Sequence, residues 1–131
     1  GLAWLVAFTV FQIGSLIFYK TKTKNIAGDV YTSKVESFTH GTTYDIIVSK
    51  RFLDENDKIL IVDDFLAIGN ALKGLISLVN DSGASLAGCG VVIEKGFQHG
   101  GDELRSKGIK VESLAIVESM DHETGKVYFR D

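Results

Sequence analysis

Two adjacent carboxylates, Asp63 and Asp64, stand directly after the apolar run Ile59-Leu60-Ile61-Val62, and Phe65-Leu66-Ala67-Ile68-Gly69-Asn70-Ala71 follows them. A continuous Ile/Leu/Val run reads as a strand buried on both faces of a parallel α/β sheet. In such sheets ligands bind beyond the carboxyl ends of the strands, where this acid pair sits. Gly69 provides a turn, and helical spacing begins at Asn70. A helix N-terminus with free N–H groups and a positive dipole end therefore lies just past the acids, a setting that suits a phosphate. Carboxylates able to bind a diol, beside a phosphate cradle, suit a ribose phosphate. Taken alone, the same pair fits solvated turn residues or a helix cap equally well.

The elements that must position these residues follow from the flanking pattern. Residues 30–40 and 44–52 are strand-like runs joined by His40-Gly41-Thr42-Thr43, which predicts a β-hairpin. Residues 53–57 form a polar turn before the central strand at 59–64. Residues 70–82 have helical spacing, with Ala71, Leu75, Leu78 and Val79 on one face, and Gly83 stops the helix. Residues 85–93 make the next buried strand, ending at Glu94-Lys95. A loop at 96–101, a short helix at 102–107, a strand at 109–117 and a last strand at 126–129 complete the chain. Strand and helix alternate from residue 58 onward, which predicts βαβ crossovers and a parallel sheet. At the other end, residues 1–19 carry no charge and Lys20, Lys22 and Lys24 follow. An apolar helix over 2–13, a turn at Gly14-Ser15 and a short strand over 16–19 account for this stretch. Its rival is a membrane span with a positive flank.

Composition bounds the function. A chain of 131 residues is expected to form a single domain with a real core, residues 1–131. The net charge of −3 gives no electrostatic case for binding nucleic acid. A lone cysteine, Cys89, cannot form an internal disulfide and reads as a buried thiol, in keeping with a reducing, cytoplasmic setting. Three scattered histidines and one cysteine make no metal site.

Two families carry an Ile-Leu-Ile-Val-Asp-Asp string. Response-regulator receiver domains also need an acceptor Asp at the end of a later strand. Here the next strand ends in Glu94-Lys95, and the following one carries Ser113-Leu114-Ala115. The string resembles instead the PRPP-binding motif of type I phosphoribosyltransferases. Val92-Ile93-Glu94-Lys95-Gly96-Phe97-Gln98, Gly101-Asp102-Glu103-Leu104 and Gly108-Ile109-Lys110-Val111-Glu112-Ser113-Leu114-Ala115 resemble the C-terminal half of the family's bacterial xanthine-specific branch. Residues 65–71 are similar to that branch's Phe-Leu-Ala-Asn-Gly-Gln-Ala loop, with Ile68 and Asn70 as departures.

The resemblance implies a Rossmann-like α/β fold with a parallel sheet and a β-hairpin. It implies transfer of 5-phosphoribosyl from PRPP to N9 of a 6-oxopurine, xanthine above all, in purine salvage. Asp63 and Asp64 would hold the ribose hydroxyls, directly or through a substrate-bound Mg²⁺. Backbone N–H groups of Ala67, Ile68, Gly69, Asn70 and Ala71 would cradle the 5′-phosphate. Lys95 would bond a purine exocyclic oxygen, and Phe97 would stack on or wall the base. The basic stretch at 20–24 would belong to a hood that closes over PRPP. The resemblance also implies a cytoplasmic homodimer, with neither a membrane nor a nucleic-acid partner. In the family the pyrophosphate loop precedes the residue matching Gly1. The chain is therefore expected to be N-terminally truncated, with a phosphoribosyl site but no working pyrophosphate site. The alternative implied function is a PRPP-sensing regulatory domain, as in some bacterial purine repressors.

Overall fold

The computed structural model describes residues 5–10, 14–20, 28–37 and 42–131. The chain divides into two compact units, Gly1–Ile61 with Asn70–Ala87, and Val62–Gly69 with Gly88–Asp131.

The first unit is built on antiparallel strands. β1 (Leu5–Val10) pairs with β2 (Gly14–Lys20) in a register from Leu5↔Tyr19 to Val10↔Gly14. The helix expected over 2–13 is therefore corrected to a strand across its described part. The β-branched and aromatic residues of Leu5-Val-Ala-Phe-Thr-Val favour extended backbone, and a partner strand follows at Gly14. Residues 1–4, 11–13 and 21–27, including Lys22 and Lys24, lie outside the described residues. No helix among the described residues is long and apolar enough to cross a membrane.

The expected hairpin is present. β3 (Val30–Ser37) pairs antiparallel with β4 (Thr42–Ser49), from Val30↔Ser49 to Ser37↔Thr42. The polar turn at 53–57 closes on itself: Asp54 N–H donates to Asp57 Oδ2 at 2.9 Å and Asn56 N–H to Asp54 Oδ1 at 2.8 Å. β5 (Lys58–Leu66) then runs from this unit into the second. The strand order here is β3-β4-β2-β1-β5.

α1 (Asn70–Ser82) matches the expected helix to the residue, and Gly83 ends it at φ +77°. It buries Leu72, Leu75, Ile76, Leu78 and Val79, whereas Ala71 is only half-buried. Gly74 lets it lie flat on the hairpin, because a Cβ there would overlap Val35 Cγ2 and come within 3.6 Å of Ile46 Cδ1. With Val35, Ile46, Val48, Leu53, Ile59 and Ile61 these residues form the unit's core.

The second unit holds the end of β5, then β6 (Ser85–Lys95) from Gly88 onward, a 3₁₀ turn (Gly96–Gln98), α2 (Gly100–Ser106), β7 (Val111–Met120) and β8 (Val127–Phe129). Its strand order is β5-β6-β7-β8. β6 and β7 are parallel, from Cys89↔Val111 to Lys95↔Val117, with α2 as the crossover expected between them. β8 returns antiparallel to β7.

One expectation about the sheet is corrected. β5 is buried on alternate residues only: Ile59 and Ile61 are fully buried, while Leu60 and Val62 are each 37% exposed. An apolar run establishes that a strand forms. How many of its faces are covered depends on what packs there. Cys89 is buried and unpaired, as expected, and burial pushes its thiol pKa up to about 11.

Candidate functional site

The strand expected to end at the acids runs on to Leu66, so Asp63 and Asp64 lie inside β5, near its end, in unlike surroundings. Asp63 is half-buried and Asp64 exposed. Asp64 N–H donates to Asp63 Oδ1 at 2.9 Å, and Phe65 N–H to Asp64 Oδ1 at 2.8 Å. Burial raises the Asp63 pKa from 3.8 to about 6. The backbone N–H of Asp64 pulls it down, and the Asp64 carboxyl pushes it up by hydrogen bonding and by charge. None of the ion pairs among the described residues includes either acid. A partly desolvated carboxylate with no cation beside it is a group that a cation or a polyol hydroxyl would stabilise.

The loop after the acids is fixed by backbone contact. Gly69 adopts φ +88°, a conformation side chains rarely tolerate. Gly100 N–H donates to Ala67 O at 3.2 Å, so the start of α2 holds the loop. A Cβ on Gly100 would overlap Ala67 O and lie 2.6 Å from the Ile68 carbonyl carbon. Only glycine at position 100 permits this approach. Asn70 and Ala71 continue the chain into α1 in the first unit, where the Asn70 amide donates to Glu36 O at 3.2 Å. That side chain fastens the helix to β3, so at this position a backbone N–H is what remains to meet a phosphate.

Lys95 ends β6, half-buried, with its Nζ 5.8 Å from the ring centroid of Phe65. Phe65 is 48% exposed and Phe97, in the 3₁₀ turn, 39% exposed. An exposed aromatic ring beside a cation, as Phe65 is beside Lys95, is a surface to which a flat heteroaromatic ring can bind. Sequence reasoning assigned Lys95 and Phe97 and left Phe65 without a role. His99, which follows the 3₁₀ turn, takes φ 61° and is exposed, 3.6 Å from Asp102.

The structure adds a group that sequence reasoning passed over. Glu94 is 1% exposed and bound by both terminal Arg105 nitrogens, Nη1–Oε1 at 2.9 Å and Nη2–Oε2 at 2.6 Å. Ser113 Oγ donates to Oε2 at 2.5 Å. Burial alone would raise this carboxyl's pKa, but the hydrogen bonds from Arg105 and Ser113, with the Arg105 charge, hold it below the ordinary value. The signal was present in the sequence: an acid closing the run Val91-Val92-Ile93 must find a partner if it is buried.

The phosphoribosyl transferase domain model matches residues 15–127, across both units. The chain belongs to the phosphoribosyltransferase family. Among curated phosphoribosyltransferases, it is 55% identical over 130 residues to the xanthine phosphoribosyltransferase of Lachnoclostridium phytofermentans, covering 99% of this chain and 66% of that one. It is 50% identical over 130 residues to the Bifidobacterium adolescentis xanthine phosphoribosyltransferase, with 99% and 67% covered. The chain thus spans about two-thirds of the length of these relatives. Among solved phosphoribosyltransferases, the adenine enzyme of Giardia lamblia, complexed with 9-deazaadenine, is 26% identical with a TM-score of 0.63. The match covers 74% of this chain and 54% of that one. The α/β fold expected from the sequence is the fold of these enzymes. The receiver-domain likeness ends at the shared apolar-acidic string.

Proposed function

We propose that residues 1–131 are one phosphoribosyltransferase domain that binds PRPP and xanthine, in an enzyme that forms XMP and pyrophosphate in purine salvage. The observation that carries this reading is the sequence of groups at the end of β5. A half-buried acid outside every ion pair among the described residues, a second acid beside it and a loop held in place by Gly100 follow one another directly. The family match running through both units supports a single domain, and the names of the 46–55% identical relatives support xanthine. Those names favour the enzyme over a regulatory PRPP sensor.

Breaking the bond between C1 and pyrophosphate develops positive charge on the sugar. The protein therefore positions the reactants and stabilises charge, with little covalent work of its own. Asp63 and Asp64 accept hydrogen bonds from the ribose hydroxyls and lie where their charge favours the developing cation. Backbone N–H groups over 67–71 receive the 5′-phosphate at the start of α1. Lys95 donates to an exocyclic oxygen of the base, and Phe97 walls the ring.

Among the described residues no three metal-binding side chains cluster, so the acid pair does not form a complete protein cage. Two carboxylates with substrate oxygens do fit Mg²⁺, which commonly keeps that kind of ligand set. Bound with PRPP, Mg²⁺ would neutralise phosphate charge and hold the leaving group in place. In this reading the enzyme is cytoplasmic and dimeric.

Calorimetric titration with PRPP and Mg²⁺ tests the sugar-phosphate site, and saturable binding is expected. XMP formation from xanthine, with hypoxanthine and guanine as controls, tests the reaction and the base choice. A folded chain that ignores PRPP would overturn the reading.

A further inference from the structure

The turn that carries Lys95 and Phe97 is gripped from outside the site, by the C-terminal strand. Arg130 follows β8, and its backbone N–H donates to Ile116 O at 2.8 Å. Its side chain turns onto the backbone of Gly96. A Cβ on Gly96 would lie 3.2 Å from Arg130 Nη2, 2.9 Å from Ile116 Cγ2 and 3.2 Å from Val117 O. A side chain there would have to move Ile116, and the guanidinium and Val117 O would each have to give by a few tenths of an ångström.

The guanidinium is itself anchored. Nε donates to Glu118 Oε2 at 2.7 Å, and Nη1 lies 3.5 Å from Asp102 Oδ1. Asp102 Oδ1 is also 3.5 Å from Arg105 Nη1, and Arg105 holds Glu94. The chain Glu118–Arg130–Asp102–Arg105–Glu94 therefore grips both neighbours of Lys95. Arg105 fixes Glu94 before it, and Arg130 covers Gly96 after it.

We infer that Arg130 is a positioning residue for base recognition, acting through Gly96 to hold Lys95 and Phe97 in place. It touches neither sugar nor phosphate in this arrangement, because Asp63, Asp64 and the 67–71 loop take those groups. The inference rests on the function proposed above and adds to it a residue that acts on the base alone. Losing Arg130 should loosen the turn and weaken binding of the base, while the affinity for ribose phosphate stays as it was.

The test compares XMP with ribose 5-phosphate, which share sugar and phosphate and differ in the base. R130M keeps most of the side-chain bulk and removes the charge and the donors. It should raise the Kd for XMP about tenfold, roughly the effect of losing one charge-assisted hydrogen bond. The Kd for ribose 5-phosphate should change by less than about twofold. R130K, which can hold Glu118 or Asp102 but not both in the same geometry, should recover part of the XMP affinity. A second readout needs no ligand. His99 N–H donates to Gly96 O at 3.0 Å, and its hydrogen exchange should speed up in R130M while that of Leu78 in α1 does not. Equal losses for both ligands, an unchanged XMP affinity, or an unchanged His99 exchange rate would each overturn the inference. A folded wild-type chain that binds neither ligand would instead remove the underlying function, and this inference with it. Should R130M not fold, R130K supports the same comparison.

Discussion

Two strands of the second unit carry carboxylates near their ends, and the two sites are built in opposite ways. At the end of β6, Glu94 is almost fully buried, and Arg105 and Ser113 satisfy both of its oxygens. Near the end of β5, Asp63 is half-buried, and among the described residues it is held by the neighbouring Asp64 alone, whose backbone N–H donates to Oδ1. The pKa values move accordingly, Glu94 down and Asp63 up to about 6. A buried acid given its partners by the protein is a structural group. A partly buried acid left short of partners costs stability, and that cost is recovered when a ligand supplies what is missing. The contrast separates a framework carboxylate from a binding carboxylate on neighbouring strands.

The largest expected effect breaks the framework side. Glu94→Gln takes the buried counter-charge from Arg105 and leaves it only the 3.5 Å contact with Asp102. It should destabilise the fold by about 2–3 kcal/mol, the low end for a buried pair because Arg105 is partly exposed. Urea denaturation measures this. A neutral substitution would erase the distinction, because Glu94 would then be no more structural than Asp63.

Asp63→Asn should act with the opposite sign on stability and strongly on binding. The ligand-free chain should gain about 1 kcal/mol at pH 7, since a desolvated charge is removed. The Kd for PRPP should rise about tenfold to a hundredfold, as expected when charge-assisted hydrogen bonds are lost. Calorimetry beside denaturation gives both numbers. A variant that loses stability and binding together would make Asp63 another framework residue.

The pH profile sharpens the same comparison. The folded state keeps the Asp63 proton up to a pKa of about 6, against 3.8 when unfolded. Between those values the native chain binds more protons, so the contribution of Asp63 to stability falls as pH rises. The advantage of Asp63→Asn over wild type should therefore grow from about pH 4 to pH 6 and level off above. Glu94, with its lowered pKa, contributes the reverse. Its stabilisation is complete above the ordinary carboxylate range and is lost as pH falls through its folded value.

Gly100→Ala tests the loop beside the acids. The added methyl meets Ala67 O and Ile68, so the loop must shift. PRPP affinity should fall about tenfold with a stability loss of about 1 kcal/mol. The smallest effect belongs to His99. Its left-handed backbone strains any residue but glycine, so His99→Gly should change stability by less than about 1 kcal/mol, in the stabilising direction.

Much of this molecule was legible without coordinates. The helix at 70–82 showed in its spacing and its terminal glycine, and the hairpin in two extended runs around a polar turn. β5 and its acids showed in the abrupt change from Ile59-Leu60-Ile61-Val62 to Asp63-Asp64. These features are local, set by side-chain periodicity and turn chemistry within a few residues. Residues 5–10 form a strand where the sequence predicts a helix, because apolar length does not separate the two when the deciding factor is a partner strand beginning at Gly14.

The sequence by itself therefore determined which residues carry chemistry, and the order of strand, acid pair, glycine turn and helix that presents them. Tertiary structure decided which carboxylate is satisfied. Nothing local distinguishes Glu94 from Asp63, since each follows an apolar strand. The difference arises because Arg105 from α2 and Ser113 from β7 converge on Glu94, and no such cation reaches Asp63 among the described residues. The need for glycine at 100 and 96 was likewise decided in three dimensions, by the approach of Ala67 to one and of Ile116, with Arg130 and Val117, to the other. Backbone propensity acts within a few residues. The pairing of charges and the close approach of backbones depend on segments brought together from far apart in the chain.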